Sequence, residues 1–111
     1  MKTKTNINLI VDGKKEYTRK TTGRPYTHAL VVHSPKGWLI ESCSSKGTGA
    51  LLRRIVEAQQ QLEWYRQAVA AGPNEDRGEA TIDRYRKFIE VSEATRWYVV
   101  EIIDDTVTVT T

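Results

Sequence analysis

The hydrophobic pattern of this chain changes its period near residue 47, and that change leaves few possible folds. Before this point apolar residues alternate with polar ones, as Ile7, Leu9 and Val11 do, which is the period of a strand with one buried face. After it, apolar residues recur every three or four positions, which is typical of an amphipathic helix. The helical stripe comprises Leu51, Ile55, Ala58, Leu62, Tyr65 and Val69. Strands followed by helices favour an α+β fold.

Turn signals divide the strand-forming part into hairpins. Asp12-Gly13 supplies the positive φ angles that a type I′ hairpin turn requires. Ser34-Pro35-Lys36-Gly37 is a second hairpin turn, with proline where its fixed φ is favoured. The predicted strands are 6–11, 16–20, 26–33 and 38–43. The third contains Ala29 to Val32, a continuous apolar run that we expect to be covered on both faces.

The second part of the chain predicts two helices and another strand. One helix extends to about Ala71, where Gly72-Pro73 ends it, and we expect Leu52 and Val56 to widen its apolar stripe. A second helix over 79–95 and a strand over 97–103 follow, and residues 106–111 would pair with a neighbouring chain or fray. The prediction is one domain over 1–111, in which an antiparallel sheet of four to five strands carries a two-helix hairpin on one face, in the order β-β-β-β-α-α-β.

The charge is unevenly distributed along the chain. The net charge is +3, but residues 1–36 carry eight Lys/Arg and two Asp/Glu, whereas residues 37–111 carry nine and twelve. This split favours a local anionic partner for the N-terminal part. The alternative is a solvated strand face whose lysines protect a sheet edge from aggregation.

Several other features bear on location and chemistry. The single cysteine, Cys43, excludes an internal disulfide, suits a reducing cytoplasm and is expected to be a buried thiol. Residues 1–5 do not resemble a signal peptide, and no apolar run approaches the roughly 20 residues of a membrane span. His28 and His33 are five apart on one strand and should face opposite ways. The sequence contains no H-E-x-x-H, no G-x-S-x-G and no paired cysteines for zinc. We therefore expect no enzyme, no metal site, no cofactor and no membrane partner.

The segment from Arg19 to His28 is the best candidate for ligand binding. Arg19 and Arg24 are suited to clamping a phosphate, Tyr26 to stacking on a base, and His28 to a polar contact. The alternative is a chance cluster in a surface loop.

Other cations could complete such a site. Lys46 lies in a glycine-containing turn at a predicted helix start, which suits an anion, although Ser45 or Thr48 could simply cap that helix. Arg53, Arg54 and Arg84 could complete the pocket or be helix-surface charges. Five aromatic residues are expected to lie mostly in the core or at an interface, and one of them is a candidate stacking wall: Trp64, Tyr65, Tyr85, Phe88 and Trp97.

The run from Arg24 to Val32 resembles the R-x-Y-x-x-A-V-V strand of small phage proteins. The layout over 5–103 is similar to that of phage anti-Thoeris sponge proteins of the first described type. The resemblance implies a protein that sequesters a cyclic ADP-ribose isomer without cleaving it, in the cytoplasm of an infected bacterial host. It also implies assemblies of dimers that can hold cyclic oligonucleotides. It identifies no ligand-contacting residue of this chain.

A second hypothesis is a small nucleic-acid-binding or host-takeover protein that uses its basic N-terminal hairpins. A sponge requires a closed pocket with a few cations, whereas a nucleic-acid binder requires an exposed basic stripe. We also expect a homodimer or higher homo-oligomer. Trp64 and Tyr65 are adjacent on a helix, so they cannot both face one core.

Overall fold

The computed structural model describes residues 4–111, which form six strands and two helices. The elements are β1 Lys4–Val11, β2 Lys14–Thr22, β3 His28–Ser34, β4 Gly37–Ser44, α1 Gly49–Ala71, α2 Glu79–Glu93, β5 Arg96–Glu101 and β6 Thr106–Val109. Lys2 lies outside the described residues. The prediction that residues 1–5 are not a signal peptide lies partly outside them. The positive φ angles of Asp12 (49°) and Gly13 (84°) confirm the predicted hairpin turn.

The strands form two sheets of three strands each, so the α+β class is confirmed and the single antiparallel sheet is wrong. The outer sheet has the order β2-β1-β6, and the central sheet has the order β4-β3-β5. The C-terminal residues, expected to pair with another chain or fray, instead form β6, which pairs in parallel with β1. Val107 and Val109 of β6 are buried, and this burial explains why the alternating Val-Thr segment is a strand.

The main hydrophobic core lies between the two sheets. It contains alternate residues of the strands: Ile7, Leu9, Val11, Ala29, Val31, Ile40, Val107 and Val109. Leu9, Val31 and Val107 have no exposed surface. Burying a side chain of this size contributes about 1.5–3 kcal/mol relative to leaving it exposed, so these strands supply much of the stability.

The central sheet is covered on both faces, as the apolar run in β3 predicts. Ala29 and Val31 face the core, while Leu30 and Val32 alternate with them and face the other way. All four are buried. Helix α1 contacts β4 and β5, and α2 packs on α1. The second helix therefore covers the first helix more than it covers the sheet.

The two sheets are joined along both long edges. On one side, Nη1 of Arg19 in β2 donates hydrogen bonds to the carbonyl oxygens of Ile40 and Glu41 in β4, at 3.1 and 3.2 Å. Glu41 is the extra residue of a β-bulge, since its neighbours pair with consecutive residues of β3. On the other side, Ile103 and Thr106 form a bridge through which the chain passes from β5 to β6.

The helical hairpin is held together by aromatic residues. The ring of Tyr65 lies 4.7 Å from that of Tyr85 and 4.4 Å from that of Phe88, measured between centroids. Leu52 and Val56 do not widen the buried stripe as predicted, because they are 50% and 48% exposed on the side of α1 away from the sheet. The extents of 53 × 28 × 22 Å show an elongated molecule. Within residues 4–111, neither helix is both long and apolar enough to cross a bilayer.

Candidate functional site

Two segments meet at one end of the central sheet and bring together several of the predicted site residues. Thr27 connects them, since its amide donates to the carbonyl oxygen of Ser44 at 2.7 Å and its hydroxyl donates to the same oxygen at 3.2 Å. The amide of Gly47 donates to the Thr27 hydroxyl at 3.3 Å. The loop before β3 and the turn after β4 therefore form one hydrogen-bonded unit.

The loop that carries Arg24 is ordered by its own backbone. The amide of Arg24 donates to the carbonyl of Thr22 at 2.6 Å, and the amide of Tyr26 donates to the carbonyl of Arg24 at 2.8 Å. These are successive γ-turns. Pro25 lies inside the second one, where its fixed φ reduces the freedom of the loop. The exposed side chain of Arg24 therefore extends from a restrained backbone.

A cavity of about 280 Å³ lies beside this loop, between β2 and β4, and is called here the β2–β4 pocket. Its lining comprises Arg19, Lys20, Thr21, Thr22, Tyr26, Ser42 and Cys43. Two of these side chains are cationic and four carry a hydroxyl group. None of the described residues that line it is acidic. The Thr21 hydroxyl donates to the Thr5 carbonyl at 3.1 Å and the Ser42 hydroxyl to Oε2 of Glu41 at 2.8 Å. The cations and the other two hydroxyl groups are the donors suited to an oxyanion.

Arg19 lines this pocket and also joins the two sheets. Its Nη1 is already bonded to the carbonyls of β4, so part of the guanidinium is structural. The remaining donors of its planar fork are available to a ligand. Cys43 is half-buried beside it. Burial raises the pKa of the Cys43 thiol, and the charge of Arg19 opposes that rise. The thiol is therefore mainly protonated at neutral pH.

His28 and Lys46 flank the same end of the sheet. Nδ1 of His28 lies 2.9 Å from the Thr27 hydroxyl, and His28 pairs across the sheet with Ser44 and Glu101. Lys46 is exposed in the turn before α1. Thr48 is the N-cap of that helix but makes no capping hydrogen bond with its side chain. Five predicted residues thus lie on the pocket or on the segments beside it: Arg19, Arg24, Tyr26, His28 and Lys46.

The other three predicted residues lie elsewhere. Arg54 forms a bidentate ion pair with Glu41, with an Nη2–Oε1 distance of 2.9 Å. Arg53 is exposed on α1. Because successive helical residues point about 100° apart, its side chain points in a different direction from that of Arg54. Arg84 is exposed on α2, where its Nη2 lies 3.3 Å from the Thr81 hydroxyl. The interpretation of these three as helix-surface charges fits better than membership of the β2–β4 pocket.

A larger cavity lies where α1, the end of α2 and the start of β5 meet, and is called here the helix–sheet groove. Its volume is about 640 Å³. Its apolar wall is formed by Leu62, Phe88 and Trp97, and its polar rim includes Arg66, Glu93 and Arg96. A smaller cavity of about 360 Å³ continues it along α1 past Arg54, with Trp97 lining both.

The groove could be found only in part from the sequence. Phe88 and Trp97 were among the candidate stacking residues, but nothing in the pattern of residues 62–66 or 93–96 indicates that they meet. Arg66 and Glu93 are 27 positions apart and form an ion pair of 3.1 Å across the two helices. That contact depends on the angle between α1 and α2, which the sequence pattern does not show.

Two negative findings complete the description. Within residues 4–111, no group of three His, Cys, Asp or Glu side chains is placed to hold a metal ion. No protein-family model, curated protein or solved structure matches this chain.

Proposed function

We propose that this protein binds a small phosphate-bearing ligand of the nucleotide type at the β2–β4 pocket and holds it without chemical change. The observation that carries the proposal is the lining of that pocket, in which two cationic residues and three residues with a hydroxyl group lie beside Tyr26. A nucleotide offers a matching set of groups, since its phosphate accepts charged hydrogen bonds and its base can stack on an aromatic ring.

The charges of the two cavities support this choice of site. The helix–sheet groove and its continuation carry three arginines, but also Glu41, Glu57 and Glu93. A phosphate would meet as many carboxylates as guanidinium groups there. The β2–β4 pocket is smaller, but within residues 4–111 its lining residues include two cations and no carboxylate. At about 280 Å³ it lies just below the usual range of ligand pockets, about 300–1,000 Å³, so it would enclose only part of a nucleotide. The rest of the ligand, including phosphate oxygens, would lie over the loop that carries Arg24.

The finer identity of the ligand is also part of the proposal. The resemblance of residues 24–32 to the sponge-protein strand supports a cyclic ADP-ribose isomer as the ligand. In that case the protein would act as a phage anti-defence sponge in the cytoplasm of an infected bacterium. A cyclic oligonucleotide is the related alternative, because it presents the same phosphate and base groups.

Homo-oligomerisation belongs to the same proposal. Leu52, Val56 and Trp64 of α1 are each about half-exposed, and a second copy would remove them from water. Sedimentation at micromolar concentration measures this directly. A single species with the mass of one chain would exclude the oligomer while leaving the ligand site open to test.

Arg24→Ala tests the proposed site. Because Arg24 is exposed and its backbone is restrained, the substitution should weaken binding of cyclic ADP-ribose by about ten- to a hundredfold, the contribution of one charge-assisted hydrogen bond. Thermal stability should be nearly unchanged. Lys36→Ala is the matched control, since Lys36 is an exposed cation in the turn at the opposite end of the central sheet. Calorimetric titration beside a melting curve gives both quantities.

The outcomes separate the alternatives. Unchanged affinity in Arg24→Ala, with lowered stability, would remove Arg24 from the site. Adenosine as competitor tests the phosphate requirement, since it lacks that group and should bind much more weakly. Ligand released by heating should be intact, and a cleaved product would indicate an enzyme.

Nucleic-acid binding is the second candidate, favoured by one specific observation. β2 is an edge strand of nine residues that exposes Lys14, Lys15 and Lys20. A stripe of this kind would contact successive phosphates, and its affinity for a single-stranded oligonucleotide would fall steeply with salt. A shallow salt dependence, together with tight binding of a mononucleotide, would favour the pocket over the stripe.

A further inference from the structure

The helix–sheet groove has the size and shape of a ligand site that is separate from the β2–β4 pocket. The two share no lining residue. They lie on either side of Glu41, whose backbone carbonyl accepts from Arg19 while its side chain extends to Arg54. A ligand in the groove would therefore not compete with one in the pocket.

The apolar wall of the groove is incompletely packed. Phe88 is 37% exposed although it contacts Tyr65, and Trp97 is only partly buried on the helix-facing side of the central sheet. Protein interiors are normally packed as densely as organic crystals. An open space of about 640 Å³ beside two aromatic rings and Leu62 thus leaves apolar surface in contact with water. A planar apolar molecule would cover that surface.

The charges on the rim of the groove and its continuation balance, with three guanidinium groups and three carboxylates. Arg66 is paired with Glu93 at 3.1 Å, and Arg54 is paired with Glu41 at 2.9 Å. The third guanidinium, that of Arg96, donates to the carbonyl oxygens of Glu93 and Thr95 at 2.8 and 3.1 Å, where α2 ends. A charged ligand would therefore meet groups of both signs, whereas an uncharged one would leave the two ion pairs intact.

We propose that the helix–sheet groove binds a planar aromatic small molecule without net charge, packed against Trp97 and Phe88. Gln59, Gln61, Ser92 and Thr95 also line the groove and provide uncharged donors and acceptors for its polar edges. This site is independent of the proposed nucleotide site, and either can fail without the other.

The uncharged dye phenylnaphthylamine tests the proposal, because its fluorescence rises in an apolar pocket. Its sulfonated analogue has the same rings and one negative charge. We expect one molecule of the uncharged dye per chain and roughly tenfold weaker binding of the sulfonated one, because its sulfonate would lose water and meet carboxylates as well as guanidinium groups in the groove. Equal affinities would overturn the assignment of an uncharged ligand.

Two substitutions locate the dye. Trp97→Ala removes one wall and should weaken binding roughly two- to tenfold. Ala58→Leu leaves Trp97 in place and adds methyl groups to a residue that lines both parts of the groove, so it should weaken binding by about tenfold through overpacking. Its melting temperature checks that it is folded. Val56→Ala is the matched control, on the exposed side of the same helix, and should bind like the unmodified protein.

Two results would overturn the proposal. One is dye binding that survives Ala58→Leu but is lost in Val56→Ala, which would place the dye on the exposed face of α1. The other is dye affinity that falls with rising protein concentration as sedimentation shows association, which would make a second copy of the chain the occupant of the groove.

Discussion

The two halves of this molecule are packed in different ways. In the sheets, alternate residues of four strands form one core, in which Leu9, Val31 and Val107 have no exposed surface. In the helices, which the structure describes in full, only Leu51, Ala68 and Ile82 are buried. The radius of gyration is 17.2 Å, whereas a compact domain of this length would have about 13 Å. The hairpin extends from the sheets more than it wraps around them.

The halves differ in how much apolar surface they leave exposed. A closed core between the sheets supplies stability through apolar burial. The hairpin instead leaves apolar and aromatic side chains partly exposed, which is typical of surfaces that bind. The expected effects of substitutions should therefore differ between the halves, even for residues of the same type.

The largest effect is expected in the core between the sheets. Leu9→Ala removes a fully buried side chain of β1 and should lower the free energy of unfolding by about 2–5 kcal/mol. Val56→Ala on α1 should change it by about 0.5 kcal/mol or less in either direction, because Val56 is half-exposed. Urea unfolding followed by circular dichroism measures both. A large loss for Val56→Ala would break the comparison and indicate that an oligomer buries this face.

The same contrast explains which parts of the fold could be predicted. The alternation of Ile7, Leu9 and Val11 identified the buried face of β1, and Asp12-Gly13 identified its hairpin, because both signals are local. The pairing of β6 with β1 was missed, since a strand's period shows which side chains face inward but not which strand lies beside it. The sequence predicts a turn at Asp104-Asp105, and the structure has one there, with positive φ at both residues.

The site was predictable to a similar extent. Arg19, Arg24, Tyr26 and His28 are close in sequence, so their proximity in space followed from a short loop. The partners of Arg19 did not follow, because they depend on the bulge at Glu41, 22 positions away. The helix–sheet groove depends on three elements at once, and no single stretch of sequence encodes it.

Two arginines sharpen the comparison between the sheets and the helices. Removing the one between the sheets should have the second largest effect on the free energy of unfolding. Arg19 joins sheet to sheet through two carbonyl oxygens, is partly buried, and its loss should lower the free energy of unfolding by about 1.5–3 kcal/mol. Arg54 joins helix to sheet through Glu41, and its side chain is half-exposed, so Arg54→Ala should cost about 0–1 kcal/mol. Urea unfolding of both variants is the measurement. Equal losses would contradict the proposed difference between the sheet–sheet contact of Arg19 and the helix–sheet contact of Arg54.

A smaller effect, of opposite sign, is expected at the turn before β6. Asp105 has φ 55°, and the second position of a type I′ turn favours glycine, as Gly13 shows in the first hairpin. Asp105→Gly should therefore raise the free energy of unfolding by up to about 1 kcal/mol, through relief of backbone strain. Gly13→Asp is the reciprocal control and should lower it, although a side chain there would meet no atom within 4 Å. Thermal melts that show no change in either variant would exclude strain as the reason.

The smallest effect concerns the acid stability of the outer sheet. The carboxylate of Asp12 accepts hydrogen bonds from the hydroxyl and the amide of Thr111, and these lower the pKa of Asp12 below its usual 3.8. Since the folded pKa is depressed, the resulting stabilisation is present above pH 3.8 and is lost as the pH falls through the lowered pKa. Asp12→Asn removes the charge but keeps a residue that type I′ turns favour. The variant should therefore be slightly less stable at neutral pH and equal to the unmodified protein in strong acid. Urea midpoints measured across this range check the prediction. A difference that persists at the lowest pH would mean that Asp12 acts through the turn instead of through its charge.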